Sequence, residues 1–199
     1  MADLKLYYFN ITGRAEMSRL VLAAGGKKYE DYRYKDGEWA TAKGETPFGQ
    51  CPVLEVNGKK YAQTFAIATY LARECGLYGK TNLDGLAIDQ YVQLVGDVFM
   101  AAVKVRDVED AKKPEFLKDF KEVQCPKFYA FFEKALSENK SGYMVGDSLS
   151  LADIVVYDLI TGYIADRVAS LDNFPKMKAL VAKVGENPGI KAYVASKAK

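Results

Sequence analysis

The chain contains no histidine. This removes the commonest general base, the commonest metal ligand and every arrangement in which histidine activates a serine or cysteine nucleophile. Cysteine is scarce as well. Cys51, Cys75 and Cys125 make an odd number with no CxxC spacing, which fits reduced structural thiols better than a disulfide framework or a zinc site. No apolar run approaches the ~20 residues of a membrane-spanning helix. Met1-Ala-Asp-Leu-Lys5 lacks the apolar core of a signal peptide, so a soluble, cytoplasmic protein without a membrane partner is expected. Charge of one sign is not in excess: 28 basic and 26 acidic residues leave a net +2. They are spread along the chain with no basic stripe, so nucleic acid is not an expected partner. Small molecules and protein surfaces remain.

Apolar residues make up 49% of the 199 positions, enough to bury one large core or two smaller ones. Tyrosine and phenylalanine are plentiful, at 14 and 10, and a positioned phenol is a sound hydrogen-bond donor. The most structured reading comes from residues 48–67. Asn57-Gly58 lies between Val53-Leu-Glu-Val56 and Lys60-Tyr-Ala62, and such a pair predicts a β-hairpin because a type I′ turn needs positive φ twice. Apolar residues then recur at helical spacing through Ile67, Ala68 and Leu71, with Thr64 as the expected N-cap and Gly76 as the stop. Before the hairpin stands Cys51-Pro52; on the residues alone the bond is read as trans, since only ~5% of X-Pro bonds are cis.

Upstream, Lys5-Leu-Tyr-Tyr-Phe9 reads as a strand, residues 13–24 as a helix stopped by Gly25-Gly26, Tyr29 to Tyr34 as a second strand and Trp39 to Lys43 as a short helix. The order β-α-β-α-β-β-α, with a parallel crossover first and a hairpin last, is thioredoxin-like. Beyond it the periodicity is helical throughout. The expected fold is therefore α/β plus all-α, an N-terminal thioredoxin-like domain (1–78), a polar linker (79–84) and a C-terminal helical-bundle domain (85–199). Helices are expected at 86–110, 115–138, 151–168, 177–185 and 189–198. In the third, Ser150 and Asp153 form a capping-box variant flanked by Leu149 and Ile154, read as folding rather than chemistry.

Tyr8-Phe-Asn-Ile-Thr-Gly-Arg-Ala-Glu16, Trp39, Pro47-Phe-Gly-Gln-Cys-Pro52, Gln63-Thr-Phe-Ala-Ile67 and the Ser150–Asp153 box together resemble a cytosolic glutathione transferase of the sigma class, over essentially the whole chain. The resemblance implies a detoxifying enzyme that takes glutathione as co-substrate, needs no cofactor, accepts small hydrophobic electrophiles and works as a homodimer. It implies that Cys51-Pro52 is cis and that the backbone from Gly49 to Pro52 meets the cysteinyl part of glutathione like an added strand. It places the γ-glutamyl carboxylate on Gln63 and Thr64, where relatives usually carry serine rather than threonine. Trp39, Lys43 and Gln50 match the positions that hold the glycine end, with glutamine in place of the lysine common at position 50. Taken singly, Trp39 reads as a packing aromatic, Lys43 as a solvated side chain and Gln63 as an exposed amide; their joint spacing favours binding.

For chemistry the resemblance assigns Tyr8, whose hydroxyl would hydrogen-bond the glutathione sulfur, with Arg14 supplying positive field. A free thiol has a pKa near 8.5, and lowering it by about two units requires ~2.7 kcal/mol. Strand alternation sends Tyr7 and Tyr8 to opposite faces, and Tyr7 is expected in the core. The electrophile pocket is expected from Ile11, Gly13, Met100, Val103 and Lys104. Asp97 matches a residue that reaches across the dimer, with a solvated helix carboxylate as its plain alternative, and Phe48 matches a dimer wedge of other classes, whereas the sigma resemblance implies a more polar interface. Two further functions occur among sigma-class relatives. One is isomerisation of prostaglandin H to D, disfavoured by Lys104 where those isomerases carry tryptophan and by Gly96 where they carry an acid. The other is a crystallin-like or non-catalytic binding role.

Overall fold

The structure, a computed structural model, describes residues 3–197 and divides into two compact units. One runs to Leu77 and resumes at Pro188; the other is Tyr78–Asn187.

The first unit begins with β1 (Leu4–Phe9), a 3-10 turn (Gly13–Ala15), α1 (Glu16–Ala24), β2 (Glu30–Tyr34) and α2 (Glu38–Ala42). It continues with β3 (Val53–Val56), β4 (Lys59–Ala62) and α3 (Thr64–Glu74). The sheet order is β2-β1-β3-β4, parallel between β1 and β2 and antiparallel elsewhere. Asn57 and Gly58 carry φ of 50° and 83°, as the two-residue hairpin requires. β1 alternates buried Leu4, Leu6 and Tyr8 with half-exposed Lys5, Tyr7 and Phe9. Leu6, Leu20, Leu54, Ile67 and Leu71 form the core of this unit, each burial worth about 1.5–3 kcal/mol.

Tyr7 is not a core residue. The buried face of β1 belongs to Leu4, Leu6 and Tyr8, so alternation leaves Tyr7 on the opposite face, where its hydroxyl donates to Glu55 Oε2 at 2.9 Å and its ring meets Tyr32 at 5.3 Å. Thr64 is the first helical residue rather than the cap. Gln63 takes the cap position with φ 82° and ψ 116°, turning the chain sharply from β4 into α3. The C-terminal helix α9 (Pro188–Lys197), expected within the helical domain, groups with the first unit. Its Gly189 passes so close to α1 that an added Cβ would lie 1.9 Å from the Ala23 carbonyl oxygen.

The second unit holds α4 (Asn82–Val103), a 3-10 turn (Lys104–Asp107), α5 (Lys113–Asp119), a π turn (Phe120–Gln124), α6 (Cys125–Glu138), α7 (Leu151–Thr161) and α8 (Pro175–Gly185). α4 starts inside the stretch read as linker because Thr81 and Asp84 form a capping box, and it ends at Val103 rather than 110. With the 3-10 turn that follows, the stretch Asn82–Asp107 is long and apolar enough to cross a bilayer by length and composition alone, with a mean hydropathy of 1.3 over its most apolar window, contrary to the expectation from apolar runs. Its Ile88, Val92, Val95, Val98 and Ala102 are buried, and it packs on α7, as a core helix does. The helix expected at 115–138 is interrupted by the π turn. Pro126 has no amide to give the carbonyl four residues back, and a π turn absorbs such a break. α7 stops at Thr161, where Gly162 is the C-cap. The Ser150–Asp153 capping box is formed, and α7 is buried from Leu151 through Tyr157.

Candidate functional site

In the first unit a cleft of about 450 Å³ is lined by Phe9, Arg14, Trp39, Gly49, Gln50, Cys51, Pro52, Gln63 and Thr64. Five segments of the chain are thus brought together: the end of β1, the 3-10 turn at Arg14, α2, the approach to β3 and the start of α3. The Cys51–Pro52 peptide is cis. Trp39 is half-buried, edge-on to Phe9 at 5.4 Å and tilted against Tyr34 at 5.2 Å, which fixes the indole on one wall. Gln50 and Gln63 are exposed, and Thr64 is buried at the first turn of α3. There the free amides and positive end of the helix suit an anion. Lys43 does not line the cleft; its side chain runs past Gly49, Cε lying 3.4 Å from where a Cβ on Gly49 would stand.

Tyr8 reaches this site through Arg14. Its hydroxyl oxygen accepts the Arg14 backbone N–H at 3.0 Å, so one lone pair is occupied and the O–H remains to donate. Gly13 permits the approach: its φ is +48°, and a Cβ there would lie 2.7 Å from the Tyr8 hydroxyl. Burial holds the Tyr8 phenol above the ordinary tyrosine pKa, opposed by the Arg14 amide, with Cys51 adding to the rise and the charges of Arg14 and Arg19 opposing it. The hydroxyl is therefore protonated at neutral pH and is a donor, not a base. Burial likewise pushes the Cys51 thiol up to about 11, so the one thiol on the cleft wall is a poor nucleophile.

The other expected residues stand elsewhere. Ile11 is exposed and Gly13 buried in the first unit, whereas Met100 (exposed), Val103 (half-buried) and Lys104 (exposed) belong to the second. Asp97 is exposed on α4 and lines a groove of about 390 Å³ with Tyr91, Leu94, Phe131, Lys134 and Glu138. Three features escaped sequence reasoning. Phe9, the last residue of β1 and on the strand face opposite Tyr8, also lines the cleft. The left-handed backbone of Gln63 has no side-chain signal, since glutamine is not a residue that favours positive φ. Arg19, fully buried under the Tyr8 ring, had its signal in the Gly13-Arg-Ala-Glu16 run, which places it one turn beyond Glu16.

This fold is that of a thioredoxin-like domain joined to a helical domain. Residues 4–73 match the model of the glutathione S-transferase N-terminal domain, and residues 97–197 match that of the glutathione S-transferase C-terminal domain. The chain belongs to the glutathione S-transferase family of enzymes. It is 39% identical to probable glutathione S-transferase 7 of Caenorhabditis elegans over 98% of this chain and 96% of that protein. It is 34% identical to S-crystallin SL11 of Nototodarus sloanii, again over 98% and 96%. The solved structure of prostaglandin synthase D of Nilaparvata lugens superposes with a TM-score of 0.86 at 32% identity, covering 97% of each chain.

Proposed function

We propose that the protein is a sigma-class, cytoplasmic, homodimeric glutathione transferase that uses Tyr8 to stabilise the glutathione thiolate and couples it to small hydrophobic electrophiles, detoxifying them. Peroxides are open to the same thiolate. The observation that carries this reading is the Arg14 N–H on the Tyr8 oxygen at 3.0 Å. It fixes the phenol while leaving its proton for an anionic acceptor. A hydrogen bond to a charged group is worth about 1.5–3 kcal/mol, which matches the ~2.7 kcal/mol that a two-unit fall in thiol pKa requires; Arg14, on the cleft wall, adds positive field.

In this reading the γ-glutamyl carboxylate sits on Gln63 and the Thr64 hydroxyl and amide, the cysteinyl backbone pairs beside Gly49, Cys51 and Pro52, and Trp39 and Gln50 hold the glycine end, with the Lys43 side chain turning in from beside Gly49 to join them. Asp97 contributes across the dimer. Support for a dimer comes from Phe48, which is 65% exposed beside an apolar groove of about 530 Å³ lined by Pro47, Val56, Tyr61 and Tyr70 among others. Exposed patches of this kind mark interaction surfaces.

The test is the pKa of enzyme-bound glutathione, read from thiolate absorbance against pH. Wild type should lie well below 8.5, and Tyr8→Phe should return the value toward that of free thiol. Tight binding without a shift would sink the mechanism and favour a crystallin-like binder. The likeness to prostaglandin synthase D supports isomerisation as a second reading, which ranks lower because Lys104 stands where a tryptophan is expected. Turnover of prostaglandin H at a rate exceeding conjugation of model electrophiles would reverse that order.

A further inference from the structure

Beneath Tyr8 the first unit buries a set of charges that the cleft does not use. Arg19 is fully buried and Glu16 nearly so. Arg19 Nη1 donates to the Ile11 carbonyl at 2.9 Å and to the Thr12 carbonyl at 3.2 Å and lies 3.5 Å from Glu16 Oε2, while Nε donates to Asp31 Oδ1 at 3.1 Å. Glu16 is held in turn from α9: the Tyr193 hydroxyl donates to Oε2 at 3.1 Å, and Lys197 Nζ donates to Oε1. The guanidinium thus fastens the two residues that immediately precede Gly13-Arg14, the turn whose amide fixes the Tyr8 hydroxyl. Its carbon lies 5.8 Å from the centre of the Tyr8 ring.

Such a set is costly. Buried ion pairs are commonly no more stabilising than apolar residues of the same volume, and here Arg19 Nη2 finds no hydrogen-bond partner among the described residues. Packing alone would be served as well by leucine and methionine. What apolar residues could not do is grip two successive carbonyls.

We propose that Arg19 and Glu16 are positioning residues for Tyr8, and that α9 belongs to the catalytic apparatus because Tyr193 and Lys197 fix Glu16. The order of action is α9 to Glu16, Glu16 to Arg19, Arg19 to the Ile11 and Thr12 carbonyls, and the Arg14 amide to the Tyr8 oxygen. This rests on the reading of Tyr8 as thiol donor. Loosening the far end lets the Gly13-Arg14 turn drift and weakens the hydrogen bond to sulfur, without touching the groups assigned to the glutathione backbone.

The experiment compares Tyr8→Phe, Tyr193→Phe and the double variant with wild type, each as the full chain. Bound-thiol pKa, kcat and the KM for glutathione are measured, with Lys197→Met standing in should Tyr193→Phe fail to fold. Tyr193→Phe should raise the thiol pKa and lower kcat at pH 6.5 by about threefold to tenfold, with KM changed less than about twofold; in the Tyr8→Phe background the same change should have no further effect, as coupled residues require. A lowered melting temperature with thiol pKa and kcat unmoved would make the cluster structural and overturn the proposal. So would an equal loss in both backgrounds. If Tyr8→Phe shifts the thiol pKa and Tyr193→Phe does not, this inference alone falls; if Tyr8→Phe itself leaves the thiol pKa where wild type has it, the reading of Tyr8 falls and the inference with it.

Discussion

At the scale of single residues, the site depends on how closely backbone can approach the Tyr8 hydroxyl. Gly13 is the limiting position because it needs both a positive φ and an empty Cβ position. Gly13→Ala would meet a left-handed backbone cost and a contact at 2.7 Å, so the Arg14 turn has to move. The expected outcome is a loss of stability of about 1–3 kcal/mol together with a fall in kcat/KM of at least about tenfold, the equivalent of ~1.4 kcal/mol, checked by urea unfolding and steady-state kinetics. A variant with full activity would show that the Arg14 amide does not set the phenol. The pH dependence follows from the same group. Burial raises the Tyr8 pKa above its ordinary value of 10, so the donor form persists through the alkaline range. Activity should climb as the bound thiol ionises and then stay level to about pH 9.5. A descending limb between pH 7.5 and 9 would mean that Tyr8 titrates as a base instead.

At the scale of elements, the start of α7 is the feature most exposed to test. Asp153 is fully buried and accepts from the Met144 amide at 2.6 Å, the Ser150 amide at 2.7 Å and the Ser150 hydroxyl at 2.8 Å. Three donors on one carboxylate tie the 144–150 loop to the most buried helix of the second unit. Asp153→Asn keeps the shape but sets an amide group against donors, and should cost about 1–3 kcal/mol at neutral pH. Burial nevertheless pushes the Asp153 pKa up to about 6, the hydrogen bonds opposing. A carboxyl raised above its unfolded value binds its proton more readily in the folded state. Its contribution to stability is therefore fully present below pH ~4 and is lost as pH rises through 6. Between pH 4.5 and 7.5 wild type should lose more stability than Asp153→Asn does, measured as the difference in urea midpoints at the two pH values. An equal loss would place the Asp153 pKa at its ordinary value. This box was legible in the sequence because capping is local: four residues carry the whole signal. The hairpin was legible for the same reason. The π turn between α5 and α6 and the early start of α4 were not read, although Pro126 and the Thr81-to-Asp84 spacing were there to see, because helical periodicity on either side masks a change of hydrogen-bond partner. The cis bond at Pro52 and the positive φ of Gln63 leave no local trace in residue type; the first was reached through family likeness, the second not at all.

For the whole molecule, the sequence carried the pairing of a thioredoxin-like unit with a helical one, but periodicity could not say which unit the last helix joins. That choice is made by Gly189, where α9 touches the α1 backbone, and by the hydroxyl and amine that reach Glu16. The proposed association of chains would use other surface. Phe48 exposes more of itself than any other aromatic side chain named among the exposed apolar residues, and Tyr61 and Tyr70 flank the same groove. An isolated chain would leave this apolar area in water at roughly 25 cal/mol per Å², so a second copy that covers it gains in proportion. Sedimentation of the wild type at micromolar concentration should give a dimer, and Phe48→Ser should move the equilibrium toward monomer by about tenfold or more in dissociation constant, as loss of a central aromatic anchor does. Because Asp97 is assigned to the partner's glutathione, the Phe48→Ser monomer should also bind glutathione more weakly while its thiol pKa, set by Tyr8 within one chain, stays low. A monomeric wild type with full glutathione affinity would remove both the dimer and the role of Asp97; a monomeric variant whose thiol pKa rises would mean that Tyr8 depends on the partner, contrary to the positioning of its hydroxyl by the Gly13-Arg14 turn of its own chain.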